Sequence, residues 1–143
     1  MIRILAAALI LFATAAAADP IRRADVTVTD GDTIQHRHES IRLIGFDTPE
    51  KGHHAKCPAE AALAIKARGR LQRLVNAGRL DLTIVPCACA KGTEGTARCN
   101  YGRACGVLTS RGREVGAVLI REKLARPYVC TLRRCPARQS WCG

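Results

Sequence analysis

The stretch DGDTIQHRHESIRLIGFDTPE, residues 30–50, gathers negative charge within a basic chain. It contains five of the twelve acidic residues, although the 143 residues together carry a formal net charge of +11. Two segments within it, residues 33–37 and 40–46, are separated by so few polar residues that an antiparallel hairpin is the natural connection. The stretch therefore predicts two paired strands with carboxylates beyond their far ends.

The rest of the chain predicts a mainly β fold with two helices. Val26 and Val28 alternate with threonines, which indicates a half-buried strand before the hairpin. Pro58 and Glu60 are typical of a helix start, and Asn-Ala-Gly at 76–78 ends that helix. The predicted order is three strands, a helix, two strands and a helix. Apolar residues recur at helical spacing as Leu63, Ala67, Leu71, Leu74 and Val75 in the first helix, and as Val115, Val118 and Leu119 in the second. Outside the hairpin the strands are predicted at 25–29, 80–85 and 106–109, and the second helix at about 114–124.

Residues 1–18 have the layout of a secretory signal peptide, with an early arginine, a short apolar run and small residues ending in alanines. The run is short for the ~20 apolar residues that span a bilayer. One domain with a hydrophobic core is expected at 19–129, followed by a Cys-rich tail at 130–143 that packs on it. This layout predicts export to the periplasm or out of the cell.

Eight cysteines follow the predicted signal peptide. An even number in an exported chain indicates a disulfide framework formed in an oxidising compartment. The alternative is a zinc site built from Cys-Ala-Cys at 87–89 and the cysteines after it. Disulfides are favoured, because Cys-x-Cys is not the usual spacing of zinc ligands.

The basic charge predicts a polyanionic partner. Many weak contacts with lysines and arginines would attract nucleic acid, acidic polysaccharide or an anionic membrane. Charge alone does not choose among these three.

The hairpin suggests why the carboxylates are close together. A turn at 38–39 places Asp32 opposite Gly45. Asp47 then lies opposite residue 30, so that Asp32 and Asp47 share one rim. Two adjacent carboxylates repel each other unless a cation lies between them, and oxygen ligands suit a hard ion such as Ca²⁺. Thr48 precedes a proline and is held extended, which leaves its carbonyl free to bind the same ion. The alternative is an ordinary Asp-Gly turn without a metal.

Two further residues of the stretch suggest hydrolysis of a phosphodiester. Glu50, beside the metal, can hold a water molecule and take its proton. Arg42, on the strand that leads to Asp47, can stabilise the charge that builds up on a phosphate. The alternative for Arg42 is an outward strand residue that pairs with Glu39 or a neighbour.

Three segments together resemble the staphylococcal-nuclease-like (thermonuclease) family: VTDGDT at 28–33, IRLIGFDTPE at 41–50 and NYGR at 100–103. The resemblance covers about residues 25–129. It implies a five-stranded OB barrel with helices. It also implies a Ca²⁺-dependent phosphodiesterase that acts on DNA and RNA with little sequence preference and leaves 3′-phosphorylated ends. A monomer without a membrane partner is expected.

The resemblance also implies a role for each matching residue. Asp32 and Asp47 would bind calcium together with the Thr48 carbonyl, and Asp30 would lie near the metal. Glu50 would be the general base, while Arg42 and Arg103 would hold the scissile phosphate and Arg103 would stabilise the leaving group. The residues expected to line the nucleotide pocket are Tyr101 and Tyr128.

The chain departs from the family at two places. Asn100 stands where the family's best-known pattern has a lysine, which removes one phosphate contact. The final helix is replaced by VCTLRRCPARQSWCG at 129–143, where we expect disulfides to provide the anchoring. The expected pairs are Cys87 with Cys105 and Cys89 with Cys99, while Cys57 pairs with Cys130, Cys135 or Cys142.

Two other functions were weighed against a nuclease. A non-catalytic OB module in the periplasm would bind nucleic acid through a basic groove and stacking aromatics. The residues after the signal peptide hold only four aromatic side chains of the Phe, Tyr and Trp type. A disulfide-rich interaction domain would need only charge and cysteines. The four aromatics are too few for a stacking platform, and the OB module leaves the two aspartates unexplained. The interaction domain does not account for Arg42, Glu50 and Arg103 occurring together.

Overall fold

The computed structural model describes residues 19–131 and 134–143, so the predicted signal peptide lies outside the described residues. The described chain is mainly β, with a mixed sheet that forms a half-barrel and two helices, and it is consistent with an OB-like fold. The prediction of a mainly β fold with helices is confirmed at this level. The closed five-stranded barrel and its exact strand order stay predictions. Within the described ranges, no helix has the length and apolar character needed to cross a membrane.

The described residues form nine strands and two α-helices. The strands are β1 Asp19–Ile21, β2 Val26–Asp30, β3 Thr33–His36, β4 Glu39–Leu43, β5 Gly45–Asp47, β6 Leu80–Val85, β7 Ala104–Ser110, β8 Arg113–Glu114 and β9 Arg126–Tyr128. The helices are α1 Pro58–Asn76 and α2 Val115–Arg121. Three single 3-10 turns lie at Arg23–Asp25, Gly52–His54 and Asn100–Gly102.

The main sheet has the strand order β1-β6-β7-β4-β3-β2, and β8 pairs with β7. β4 and β7 are parallel, whereas the other neighbours are antiparallel. The predicted meander of three strands, β2, β3 and β4, is therefore present. β5 and β9 form a separate two-stranded antiparallel sheet.

The predicted register of the central hairpin is wrong. His36 pairs with Glu39 and Thr33 with Arg42, so the turn is at Arg37–His38 rather than at 38–39. Arg37 and His38 have φ of 49° and 73°. Positive φ at both central residues is the geometry that matches the twist of a two-residue hairpin.

The predicted single strand at 40–46 is also wrong, because the chain bends after Leu43. Ile44 still donates its amide to the carbonyl of Gly106, at 3.0 Å. Gly45 then adopts a φ of 90°, which other residues rarely adopt. β5 therefore leaves the main sheet, and Asp47 pairs with Arg126 of β9 rather than facing residue 30.

α1 confirms the predicted bounds and most of the predicted apolar face. Pro58 occupies its first turn, where the missing amide costs nothing. Leu63 was predicted to be buried, but it lies at the edge of the apolar stripe and is only half-buried. Its neighbour Ala64 is buried instead. The other buried apolar residues are Ala67, Leu71, Leu74 and Val75.

α2 is shorter than the predicted 114–124 but buries the predicted residues Val115, Val118 and Leu119. Together with α1 it covers a core of apolar strand residues. Gly116 lies against the Phe46 ring, since an added Cβ would be 2.3 Å from Phe46 Cδ1. α2 thereby fixes β5 immediately before Asp47.

Four disulfides join all eight cysteines. The predicted pairs Cys87–Cys105 and Cys89–Cys99 are confirmed, and of the three partners left open for Cys57 the structure selects Cys142. Cys130 pairs with Cys135. The zinc alternative is wrong, because every sulfur is already bonded to another sulfur. Glu60 lies beside Cys57 and Cys142, but these two sulfurs are likewise bonded to each other.

Candidate active site

Asp32 and Asp47 lie on either side of one guanidinium. Both residues are buried, with 5% and 4% of their surface exposed. Arg42 Nη1 pairs with Asp32 Oδ1, and Arg42 Nη2 lies 3.4 Å from Asp47 Oδ1. Arg42 therefore contacts the two carboxylates, not Glu39, which lies at the turn end of the hairpin.

Thr48 is bound to Asp32 through its amide and its hydroxyl. The hydroxyl donates to Asp32 Oδ2 at 2.7 Å and the amide donates to the same oxygen at 3.2 Å. Gly31 permits this approach, since an added Cβ would lie 2.9 Å from the Thr48 side chain. The glycine of Asp-Gly-Asp is therefore required by packing.

The acidic rim consists of Asp32, Asp47, Thr48 and Glu50. Arg103 reaches this rim through Thr33. Arg103 Nη1 donates to Thr33 Oγ1 at 3.2 Å, and Thr33 Oγ1 donates to Asp32 Oδ1 at 3.2 Å. The structure thus brings Arg42 of β4 and Arg103, which directly precedes β7, to the same rim.

The loop before Arg103 is held in an unusual backbone conformation. Asn100, Tyr101 and Gly102 have φ of 52°, 58° and 77°. Asn100 accepts from Arg103 Nε at 3.0 Å through its carbonyl and from Nη2 at 2.8 Å through its side chain. Asn100 therefore orients Arg103. Two disulfides, Cys89–Cys99 and Cys87–Cys105, flank this loop.

The two tyrosines are placed differently. Tyr101 is 86% exposed, and its ring centre lies 5.5 Å from the Arg103 guanidinium carbon. Tyr128 is half-buried in β9, opposite Gly45. In the described part of the chain no hydrogen bond or ion pair joins the Tyr128 side chain to the acidic rim, so only Tyr101 is linked to it, through Arg103.

Asp30 lies next to the rim without belonging to it. Its Oδ1 accepts from the Asp32 amide at 3.4 Å, and Lys51 Nζ lies 3.9 Å from its Oδ2. Burial and the charge of Asp32 raise the pKa of Asp30 above its ordinary value. Burial and the neighbouring Asp32 therefore both oppose the ionisation of Asp30.

Arg42 affects the ionisation of Asp32 and of Arg103 in opposite ways. Its charge stabilises the ionised form of Asp32 and destabilises the ionised form of Arg103. Burial acts to raise the pKa of Asp32, but the charge of Arg42 and the Thr48 hydrogen bond outweigh it and lower that pKa. Burial and the charge of Arg42 lower the pKa of Arg103. Asp32 is therefore kept ionised by its partners.

Glu60 is a contributor that the sequence analysis treated only as a helix-start residue. Its carboxylate is buried and accepts the backbone amides of Glu50 at 3.1 Å and Lys56 at 2.7 Å. Glu60 thereby fixes the loop that carries Glu50 to the first turn of α1.

Arg138 in the tail is a second contributor that the sequence analysis missed. Its Nη2 lies 2.7 Å from Asp47 Oδ1 and donates to the Thr48 carbonyl at 3.3 Å, while Nη1 pairs with Glu50. Burial acts to lower the pKa of Arg138, but the carboxylates of Glu50 and Asp47 outweigh it and raise that pKa. No local pattern in 130–143 signals this contact, because it depends on how the tail folds back.

Trp141 and Arg126 hold the tail against the rim. Trp141 Nε1 donates to Asp47 Oδ2 at 3.4 Å, and the Arg126 guanidinium carbon lies 4.0 Å from the Trp141 ring centre. Arg126 also donates to the Ser140 carbonyl at 2.6 Å.

The donors of the rim fit a hard divalent cation by their chemistry. Asp32 and Asp47 offer carboxylate oxygens and Thr48 a carbonyl oxygen, and oxygens are the ligands that Ca²⁺ prefers. Guanidinium groups neutralise these oxygens in the structure, which shows that the rim is built to hold positive charge.

Models of known protein families and curated proteins give no match to this chain.

Proposed function

We propose that this protein is a calcium-dependent phosphodiesterase of the staphylococcal-nuclease-like type. It would hydrolyse DNA and RNA with little sequence preference and leave 3′-phosphorylated products. The observation that carries the proposal is the convergence of Asp32, Asp47 and Glu50 with Arg42 and Arg103 at one rim. These residues come from three separate motifs, of which the one at 100–103 lies far from the other two in the sequence.

Calcium would be held by Asp32, Asp47 and the Thr48 carbonyl. When bound, it would supply positive charge that stabilises the charge developing on the phosphate. Asp32 is already held in place by Thr48, so the carboxylate does not need to be ordered when the metal arrives. Asp30 would lie near the metal, next to Asp32.

Glu50 would orient the attacking water and take its proton. Its side chain is 38% exposed, which leaves room for a water molecule. Its backbone is fixed by the hydrogen bond to Glu60. A general base must be within hydrogen-bonding reach of its water molecule, and a fixed loop favours that geometry.

Arg42 and Arg103 would stabilise the phosphate as its charge increases. Both are pre-positioned, Arg42 by two carboxylates and Arg103 by Asn100. Pre-organised donors are the usual source of such stabilisation, because they do not reorganise during the reaction. Arg103 would also stabilise the leaving oxygen.

The substrate would be drawn by the basic surface and contacted by tyrosines. The net charge of +11 attracts a polyanion such as nucleic acid. Contacts with the phosphate backbone are independent of the base sequence. Tyr101 presents an exposed ring for stacking against a base, and Tyr128 would line the nucleotide pocket from β9. Low sequence preference follows from contacts of these two kinds.

The proposed setting is the periplasm or the extracellular space. The signal-peptide pattern at 1–18 and the four disulfides support export. The fold would be the five-stranded OB barrel of the family, with the tail at 130–143 in place of its final helix. We propose that the protein acts as a monomer.

The test is to incubate the purified oxidised protein with DNA and with RNA, in calcium or in a chelator. The proposal predicts cleavage in calcium, 3′-phosphorylated products and loss of activity in the chelator. Full activity in the chelator would contradict the metal assignment. Binding of nucleic acid without cleavage in calcium would instead support the non-catalytic OB module.

A further inference from the structure

Arg138 contacts three groups of the acidic rim at once. It lies 2.7 Å from Asp47 Oδ1, donates to the Thr48 carbonyl at 3.3 Å and pairs with Glu50. Its side chain is 43% exposed, so solvent reaches the guanidinium from one side. The function proposed above does not use Arg138.

Two of these three groups are the proposed calcium ligands. Calcium binds its oxygens at about 2.3–2.6 Å. A guanidinium nitrogen at 2.7 Å from Asp47 Oδ1 lies in the volume that such an ion would need. The guanidinium and the ion therefore cannot bind Asp47 Oδ1 and the Thr48 carbonyl in this arrangement at the same time.

The tail keeps Arg138 close to the rim. Cys142 is bonded to Cys57, which directly precedes α1. Trp141 donates to the second oxygen of Asp47 at 3.4 Å. A tethered group competes at a high effective concentration.

We propose that Arg138 is a built-in cation that competes with calcium for Asp47 and Thr48, and that the Cys57–Cys142 disulfide keeps it in place. Calcium binding then requires Arg138 to move away from Asp47. This inference rests on the calcium site of the proposed function.

The test is calcium binding by isothermal titration calorimetry, with the oxidised full chain and without nucleic acid. Arg138→Gln is expected to bind calcium about tenfold more tightly than the wild type, a change of about 1.4 kcal/mol. Arg134→Gln is the matched control, because it removes the same charge from an exposed residue of the same tail. Equal affinities in the two variants would overturn the inference.

A second variant separates the position of Arg138 from its charge. Replacing both Cys57 and Cys142 by serine keeps the arginine but releases the tail, so calcium affinity should again rise. Adding Arg138→Gln to that variant should give less than the sum of the two effects, as expected for coupled sites. Full additivity would count against the inference, and circular dichroism and melting curves check that each variant is folded.

Calcium binding and nucleic-acid cleavage distinguish a failure of the inference from a failure of the proposed function. If calcium binds and Arg138→Gln strengthens binding, but the protein cleaves no nucleic acid, the inference stands and the proposed activity fails. If no variant binds calcium, both the inference and the metal assignment are overturned.

Discussion

The carboxylate of Glu60 accepts the backbone amide of Glu50 at 3.1 Å, so that a buried side chain of α1 anchors the loop of the proposed general base. Its other oxygen accepts the amide of Lys56 at 2.7 Å. Hydrogen bonds to an ionised carboxylate are stronger than those between neutral groups. The position of Glu50 therefore depends on the charge of Glu60.

We expect Glu60→Gln to lower stability and to change its pH dependence. Burial acts to raise the pKa of Glu60, but the amides of Lys56 and Glu50 outweigh it, so the pKa lies below 4.5. A lowered pKa in the folded state contributes stability that is complete above 4.5 and is lost as pH falls through the folded-state value. At pH 7 the variant should lose about 1.5–3 kcal/mol of unfolding free energy, the range for hydrogen bonds to charged groups.

Urea denaturation between pH 7 and pH 3 measures this effect. The wild type should lose more stability on acidification than Glu60→Gln does. Glu39→Gln is the control, since Glu39 is exposed at the hairpin turn. Parallel pH profiles for the wild type and Glu60→Gln would contradict the role assigned to this carboxylate.

Glu50→Gln should lower the rate of DNA cleavage by about 10²–10⁴, the range for loss of a general base. The fold should remain intact, because the Glu50 side chain is partly exposed and its anchoring amide is unchanged. Cleavage rates in saturating calcium, with Glu39→Gln as a charge-matched control, measure the effect. A rate close to wild type would indicate that the acidic stretch is an ordinary turn without a catalytic role.

Arg42→Ala should reduce both activity and stability. The loss of a phosphate-stabilising donor costs about 10²–10³ in rate. Removing Arg42 also leaves Asp32 and Asp47 as buried charges with one partner fewer, which destabilises a fold strongly. Calcium should restore part of the lost melting temperature in the variant. If calcium has no such effect, the two aspartates do not form the metal site.

The variant with Cys89 and Cys99 replaced by serine should lose activity through Arg103. The bridge spans ten residues immediately before the Arg103 loop, and it limits the conformations of three residues with positive φ. A loss of about 2–4 kcal/mol in unfolding free energy is typical of a removed disulfide. Replacing Cys130 and Cys135 is the control, because that bridge lies outside this loop. An unchanged rate and melting temperature would show that the bridge does not hold the arginine loop.

Two glycine-to-alanine variants should change stability in opposite directions. Gly116→Ala places a methyl group 2.3 Å from the buried Phe46 ring, and overpacking of this kind costs about 1–3 kcal/mol. Gly69→Ala meets only the far end of Arg73, at 3.8 Å, so the helix preference of alanine should add up to about 1 kcal/mol. Thermal melting of both variants tests the contact between α2 and β5. A stabilised Gly116→Ala would mean that Phe46 does not pack there.

The helices and the first strands were predictable from local patterns. α1 begins at the predicted proline and ends at Asn76, because capping and periodicity are properties of neighbouring residues. The bend after Leu43 was not predictable in the same way. Gly45 permits it, but the bend is fixed by the pairing of β5 with β9 and by the packing of Phe46 on α2.

The acidic rim was predicted for a partly wrong reason. Hairpin pairing predicts that Asp32 and Asp47 share one rim, whereas in the structure Asp47 lies in β5 and pairs with Arg126. The two aspartates still lie on one guanidinium, because Thr48 binds Asp32 directly after the bend. The two aspartates lie close together as expected, but the register expected to bring them together is wrong.

The sequence by itself determined the residue types of the rim, the two helices, the meander and two of the four cysteine pairs. Those features follow from spacing, capping and side-chain chemistry, which act over a few residues. The tertiary structure alone decided that Arg138 and Trp141 of the tail reach Asp47, and that Glu60 holds Glu50. These contacts join distant parts of the chain. They depend on how α1, the disulfides and the sheet pack together, and a local sequence pattern does not predict that packing.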